Sequence, residues 1–188
     1  MKANVTAFTL ALLLLSFQYL PAQKRNHQLA FIVEAGFPSK YFETGGGGFI
    51  KGAYGINRNA QLTLQTGMSK FKSYASIYDQ YGREPSRITI RFIPVLIGYK
   101  QYLKQFYLEP QVGYGEEGGK IVDVARVFTL PSNGSFYWAI GAGYQFHKLD
   151  LGIRYQRANT LDKDYVDLWG DNQFSFVGLH IGYTLNLN

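Results

Sequence analysis

The chain contains no cysteine and only three histidines among its 188 residues, and only 17% of its residues are charged. The absence of cysteine excludes disulfide bonds, thiolate metal sites, cysteine nucleophiles and an N-terminal lipid-modified cysteine. Three histidines leave little material for a histidine-based zinc site. The formal net charge of +6 is spread along the chain without a long basic run. This distribution argues against nucleic-acid binding.

Aromatic residues and glycine, by contrast, are abundant. Aromatics make up 16% of the chain, with 15 Tyr and 14 Phe, and there are 21 Gly. Tyr and Phe favour β-strands, and a hydrophobic content of 46% is too high for a disordered chain. The length suits one domain. The composition therefore predicts a single all-β domain.

The first segment has the pattern of a secretory signal peptide. Lys2 precedes an apolar stretch over residues 5–17, and Ala22 offers a small residue for cleavage. We predict a signal peptide over residues 1–22 and a mature domain over residues 23–188. A retained membrane anchor is the alternative, but the apolar stretch is shorter than the roughly 20 residues of a spanning helix.

Most of the remaining chain alternates between apolar and polar or small residues with a period of two, which is the signature of β-strands. Eight such segments are separated by connections that alternate between long and short. The predicted connections are residues 38–46, 57–60, 70–86, 103–105, 116–134, 147–148 and 157–172. Long loops at one end and short turns at the other are typical of a membrane barrel. We predict an eight-stranded antiparallel up-and-down transmembrane β-barrel, with both termini and the short turns on the periplasmic side and the long loops outside the cell.

The two faces of the predicted strands differ in chemistry. One face is rich in Leu, Ile, Val and Phe and is predicted to contact lipid, and the other combines glycines with charged residues and is predicted to face the lumen. A soluble exported barrel that carries a hydrophobic ligand would reverse this arrangement. We expect the inward charged residues to form an internal ion-pair network: Glu34, Lys51, Arg91, Glu109 and Arg154. We also expect inward glycines such as Gly152 and Gly178 to tolerate serine better than the outward Leu151 tolerates arginine. A bulge at Pro94 is expected to switch the faces of the fourth strand.

Three segments carry a resemblance to a known family. Residues 92–100 and 106–115 resemble the central hairpin of the outer-membrane β-barrel domain proteins of Bacteroidota, which are small porin-like barrels. Residues 180–187 are similar to the C-terminal β-signal that the barrel-insertion machinery recognises. The resemblance implies an outer-membrane location and assigns the signal to Gly182, Leu185 and Leu187.

No catalytic, cofactor-binding or metal-binding site is predicted. His180 is the one histidine within a predicted strand, and a single lumenal histidine is more often a hydrogen-bonded filler than a catalyst. We expect a non-enzymatic barrel, porin-like or structural, with a lumen filled by side chains and with outer-membrane lipids and the insertion machinery as partners. Two alternatives remain at this point. One is an outer-membrane component of a secretion or conjugation apparatus, and the other is a barrel-type lipid-modifying enzyme.

Overall fold

The computed structural model describes residues 27–39, 42–75, 86–122, 127–160 and 173–187, so the predicted signal peptide lies outside the described residues. The described chain forms eight β-strands. They are β1 (Gln28–Pro38), β2 (Gly45–Asn57), β3 (Ala60–Ala75), β4 (Ser86–Leu103), β5 (Phe106–Val122), β6 (Val127–Phe146), β7 (Leu149–Thr160) and β8 (Gln173–Asn186). No helix long and apolar enough to cross a membrane occurs among these residues.

Each strand pairs antiparallel with its neighbours in sequence, and β1 pairs with β8 to close the barrel. Closure gives every strand two partners and leaves no exposed sheet edge, which a β-structure within lipid requires because lipid offers no hydrogen bonds. The predicted eight-stranded up-and-down antiparallel barrel is confirmed.

Three two-residue turns join strands at one end of the barrel, at residues 58–59, 104–105 and 147–148. Lys104 and His147 open two of these turns with φ values of 63° and 54°. Tight hairpins use such left-handed residues because their backbone twist matches that of the flanking strands. The start of β1 and the end of β8 lie at this same end, since Gln28 pairs with Asn186.

The hairpins at the other end are longer than the sequence predicted. The expected connection over residues 116–134 is wrong, because β5 continues to Val122 and β6 already starts at Val127. The Gly- and Glu-rich residues 116–119 have low strand propensity, but the pairing continues through them with one register shift. Pairing with both neighbours overrides the local preference of this segment.

The outer wall is apolar, as expected for a barrel in lipid and opposite to a soluble barrel. Large hydrophobic side chains are exposed on all eight strands, for example Val33, Ile97 and Leu151. The inward positions hold most of the charged and amide side chains of the strands, together with glycines. The wall therefore offers lipid-facing side chains around its whole circumference.

Strand β4 departs from the prediction. Its pairing with β5 runs in one register through Pro94 and Gly115, so no bulge switches its faces. A Cβ at Gly115 would lie 2.6 Å from the Cα of Pro94, and this glycine lets the two backbones approach closely. With one parity throughout, Ile88 and Phe92 point into the lumen and Arg91 points outward.

Candidate functional site in the barrel lumen

The half of the lumen next to the short turns, which we call the ionic half, holds three buried ion pairs. In the first pair, Lys51 Nζ lies 2.7 Å from Glu109 Oε2. The other carboxylate oxygen accepts hydrogen bonds from the hydroxyl of Thr63 at 2.7 Å and the amide of Gln111 at 3.0 Å. Lys51 and Glu109 are 4% and 3% exposed. A charge buried this deeply is tolerated only when it is paired and hydrogen-bonded, and this pair meets both conditions.

The second pair joins the first half of the chain to the second. Arg154 donates to Glu34 Oε1 at 2.8 Å, and its guanidinium carbon lies 4.8 Å from the ring centre of Phe49. Gly178 makes room for this pair, since a Cβ there would lie 2.6 Å from Glu34 Oε2. At Gly152 a Cβ would lie 2.5 Å from the His180 ring. A serine at either position would therefore have to displace an ionic side chain. Its tolerance relative to an arginine at Leu151 stays a prediction.

The third pair includes a residue that sequence reasoning missed. Lys100 Nζ lies 2.9 Å from Asp150 Oδ2 and 3.7 Å from the ring centre of Tyr107. The hydroxyl of Tyr107 lies 2.5 Å from Asp150 Oδ1 and 3.1 Å from His180 Nε2. Lys100 lies after Pro94, where alternation places it inward together with Leu96 and Gly98. The predicted network nevertheless did not include it.

Arg91 does not belong to the ionic half. It is exposed on the outer wall, directly opposite Lys70 of β3. The structure brings together the other four residues predicted for the network, as two pairs, and adds Lys100 and Asp150. The placement of Arg91 inside is wrong because the neighbouring apolar residues, Ile88 and Phe92, turn inward instead.

A neutral polar layer covers the ionic half at the short-turn end. The hydroxyl of Tyr102 lies 2.5 Å from Gln145 Oε1 and 3.1 Å from Gln61 Oε1. Beside it, the amide of Gln28 donates to Asn186 Oδ1 at 3.3 Å. Side chains thus fill the lumen up to its short-turn mouth.

The half of the lumen next to the long loops is filled by an aromatic plug: Phe71, Phe92, Tyr137, Phe174 and Phe176. Four of these five residues are at most 2% exposed, and Phe174 is partly buried. The ring centres of Phe92 and Phe174 lie 4.6 Å apart, and those of Phe71 and Phe176 lie 4.9 Å apart. Such tilted and stacked rings pack closely and exclude water. The plug was not predicted. Its residues come from four strands, and no local pattern shows that their side chains meet in the lumen.

Gln156 marks the boundary between the two halves. It is fully buried, and the register places it between Ala139 of β6 and Phe176 of β8. Neither atom of its amide group has a hydrogen-bond partner among the described residues. Such an orphaned amide costs free energy and contributes no hydrogen bond in return.

The described residues offer no metal site, because they contain no cluster of three or more His, Asp or Glu suited to a metal ion. Within the same part of the chain, His180 contacts Tyr107 and Asp150. These contacts fix the orientation of the three side chains, which all lie inside the ionic half.

Residues 8–186 match the outer membrane protein beta-barrel domain family. The chain belongs to this family. Its members are proteins of the outer membrane, which gives the location of the barrel. No curated protein sequence matches the chain.

Solved structures share the fold at low sequence identity. Ail, the attachment invasion locus protein of Yersinia pestis, has 12% identity and a TM-score of 0.55, over 86% of this chain and 97% of Ail. The N-terminal barrel domain of Pseudomonas aeruginosa OprF has 10% identity and a TM-score of 0.53, over 86% of this chain and all of that domain. Neisserial surface protein A has 12% identity and a TM-score of 0.50, over 88% and 98%. These likenesses support the barrel fold alone.

Proposed function

We propose that this protein is a non-enzymatic outer-membrane barrel, porin-like in architecture or structural in role, whose lumen is closed to ions at rest. The observation that carries this proposal is the filling of the lumen by two layers in series, the ionic half and the aromatic plug. Eight strands enclose a space that side chains can fill. An open pore would need charged groups facing water, whereas the three cations of the ionic half each lie within 2.7–2.9 Å of a carboxylate.

The absence of catalysis is part of the proposal. His180 is the lumenal histidine, and its Nε2 is directed at Tyr107 and Asp150 within the ionic half. A histidine engaged in this way fills space and bonds its neighbours. A general base would instead need access to a substrate and a nucleophile.

Export and orientation complete the proposal. Residues 1–22 direct the chain through the inner membrane, and Gly182, Leu185 and Leu187 near the end of β8 address it to the barrel-insertion machinery. The two-residue turns, the start of β1 and the end of β8 share one end of the barrel. Because outer-membrane barrels have short periplasmic turns and longer external loops, we place this end in the periplasm.

Conductance in planar lipid bilayers tests the closed lumen. We expect the wild-type protein to give little or no steady current. The variant Phe92→Ala should give measurable leakage because it removes a ring from the plug, and Ile153→Ala on the exposed outer wall should stay silent. A large and stable wild-type conductance would contradict the proposal.

The absence of cysteine makes the orientation easy to test. A single cysteine can replace exposed Glu43 in the β1–β2 connection or exposed Lys104 in a two-residue turn. In intact cells, a membrane-impermeant maleimide should label Glu43→Cys and should label Lys104→Cys only after the outer membrane is broken. The reverse pattern would show that the long loops face the periplasm.

A further inference from the structure

Among the described side chains, four cationic ones lie on the outer wall of three adjacent strands, toward the long loops. They are Lys70 and Lys72 on β3, Arg91 on β4 and Lys120 on β5, and all four are exposed. Lys70 is directly opposite Arg91, and Thr89 stands between Lys72 and Lys120 in the next row. We call these four residues the rim cations.

The rim cations lie just beyond the hydrophobic band of the wall. On β4, the outward side chains between Leu103 and Ile93 are hydrophobic apart from Gln101, and Arg91 is the next outward residue. At about 3.3 Å per residue and a tilt of about 40°, this stretch rises about 25 Å along the barrel axis, which matches the apolar band of a membrane barrel. The guanidinium of Arg91 therefore lies at the level of lipid headgroups.

The arrangement of the rim cations favours a bound anion. Directly opposed residues on one face of an antiparallel pair have Cβ atoms about 5 Å apart, and like charges in this position are destabilising. Within the described part of the chain, none of the rim cations forms an ion pair. Two residues with exposed carboxylates lie near them among the described residues. Glu116 is opposite Ile93, and the backbone N–H of Glu43 donates to the carbonyl oxygen of Lys72. Among the residues that the structure describes, four cations against two anions leave a positive surplus.

An apolar groove of about 910 Å³ adjoins the rim cations on the outer wall. Met68 and Ile93 line it, and each lies two residues along its strand from a rim cation, Lys70 and Arg91 respectively. Gly48 also lines the groove, and a Cβ at this position would approach no atom closer than 4.0 Å. The missing side chain therefore leaves open space beside the cationic surface.

We propose that the rim cations and this groove bind one anionic phosphorylated membrane lipid. The phosphate lies between Lys70 and Arg91, and an acyl chain occupies the groove. Arg can bind phosphate oxygens through two parallel N–H donors and Lys through its point charge, so the opposed pair suits this group. A free phosphate ion would leave the groove unused. Assigning the lipid to the outer leaflet rests on the proposed orientation of the barrel, in which the long loops are external.

The test uses the purified barrel in nonionic detergent micelles with lipid A, a phosphorylated glycolipid, as the probe. Phosphatidylcholine and inorganic phosphate are the comparison probes. Native mass spectrometry counts retained lipid, and the temperature at which the compact electrophoretic band is lost measures stabilisation by binding. We expect the wild-type protein to retain one lipid A and to retain neither comparison probe.

Matched variants separate the headgroup site from the groove. Lys70→Gln with Arg91→Gln should weaken lipid A binding at least tenfold. Arg58→Gln with Lys104→Gln removes the same charge from the two-residue turns and should bind as the wild type does. Gly48→Leu should also weaken binding because its side chain occupies part of the groove. Gly52→Leu is the control and should bind as the wild type does, because Gly52 also faces outward with open space beside it but lies outside the groove.

Because Lys70 and Arg91 repel each other, we expect lipid A to reverse the effect of Lys70→Gln on the melting temperature. Without lipid, Lys70→Gln should melt at a higher temperature than the wild type because the repulsion with Arg91 is gone, and with lipid A it should melt at a lower one. The inference would be overturned if the double charge variant or Gly48→Leu retained as much lipid A as the wild type does. It would also be overturned if the wild type bound inorganic phosphate as well as it binds lipid A. The binding test in micelles measures neither ion conductance nor the orientation of the barrel in the membrane. Its failure would therefore be distinguishable from a failure of the proposed function, which the conductance and labelling experiments test.

Discussion

The ionic half of the lumen holds charged side chains in specific pairs, whereas the aromatic plug holds apolar rings in a shared cluster. In the ionic half, each cation is paired with one carboxylate, as Lys51 is with Glu109 at 2.7 Å. In the plug, Phe71 contacts Phe92, Phe174 and Phe176 together, with ring centres 4.9–5.9 Å apart. The two halves should therefore respond differently to multiple substitutions. Losses should accumulate in the plug and be recoverable in the ionic half.

The largest effect is expected in the plug. Phe92→Ala should lower the free energy of unfolding by about 3–5 kcal/mol because it deletes a buried ring. Adding Phe174→Ala should increase the loss. Guanidinium-induced unfolding in lipid vesicles measures both, with Phe136→Ala on the exposed outer wall as the control. A double variant no less stable than Phe92→Ala would show that the rings do not stabilise the barrel as a cluster.

A single break in the ionic half should cost about 3 kcal/mol, and a second substitution should recover most of it. Glu109→Gln keeps an acceptor for Thr63 but leaves Lys51 charged without a carboxylate. Adding Lys51→Met removes the stranded charge. The same unfolding assay should place the double variant closer to the wild type than to Glu109→Gln. Additive losses would contradict the pairwise description of this half.

A smaller effect is expected where a glycine leaves room for the ionic half. Gly178→Ala should cost about 1–3 kcal/mol because its Cβ would press on the Glu34 carboxylate, which Arg154 holds in place. Gly48→Ala on the outer wall meets only open space and serves as the control in lipid-free detergent. Equal stabilities of the two variants in a thermal melt would show that the Glu34 side chain can move aside at little cost.

The smallest effect is expected at the boundary between the halves. Gln156→Leu should change the free energy of unfolding by less than about 1 kcal/mol, since it removes an amide that has no partner among the described residues. Gln156→Glu should be clearly destabilising because it buries a charge beside Phe176. A large loss on Gln156→Leu, measured by chemical unfolding, would show that the amide is bonded in the folded barrel.

Sequence reasoning found most of the ionic half but could not find the plug. Glu34, Lys51, Glu109 and Arg154 are isolated charges in strands with a clear apolar face, so their inward direction follows from alternation alone. In β4 the residues on both sides of Pro94 are apolar, and alternation then gives no direction. This ambiguity accounts for the error at Arg91. It also hid Ile88 and Phe92, whose inward side chains help to fill the lumen near the long loops.

The sequence by itself determined the eight strands, their order, the short turns and the apolar outer wall. These features depend on local periodicity and on turn residues, which a single chain displays directly. Only the tertiary structure decided which inward side chains meet. Glu34 and Arg154 are 120 positions apart, and their contact depends on the closure of β1 against β8 and on the stagger of every strand pair between. The pairing partners, the aromatic plug and the opposed cations at the rim are therefore properties of the closed barrel, because register links residues that no local pattern connects.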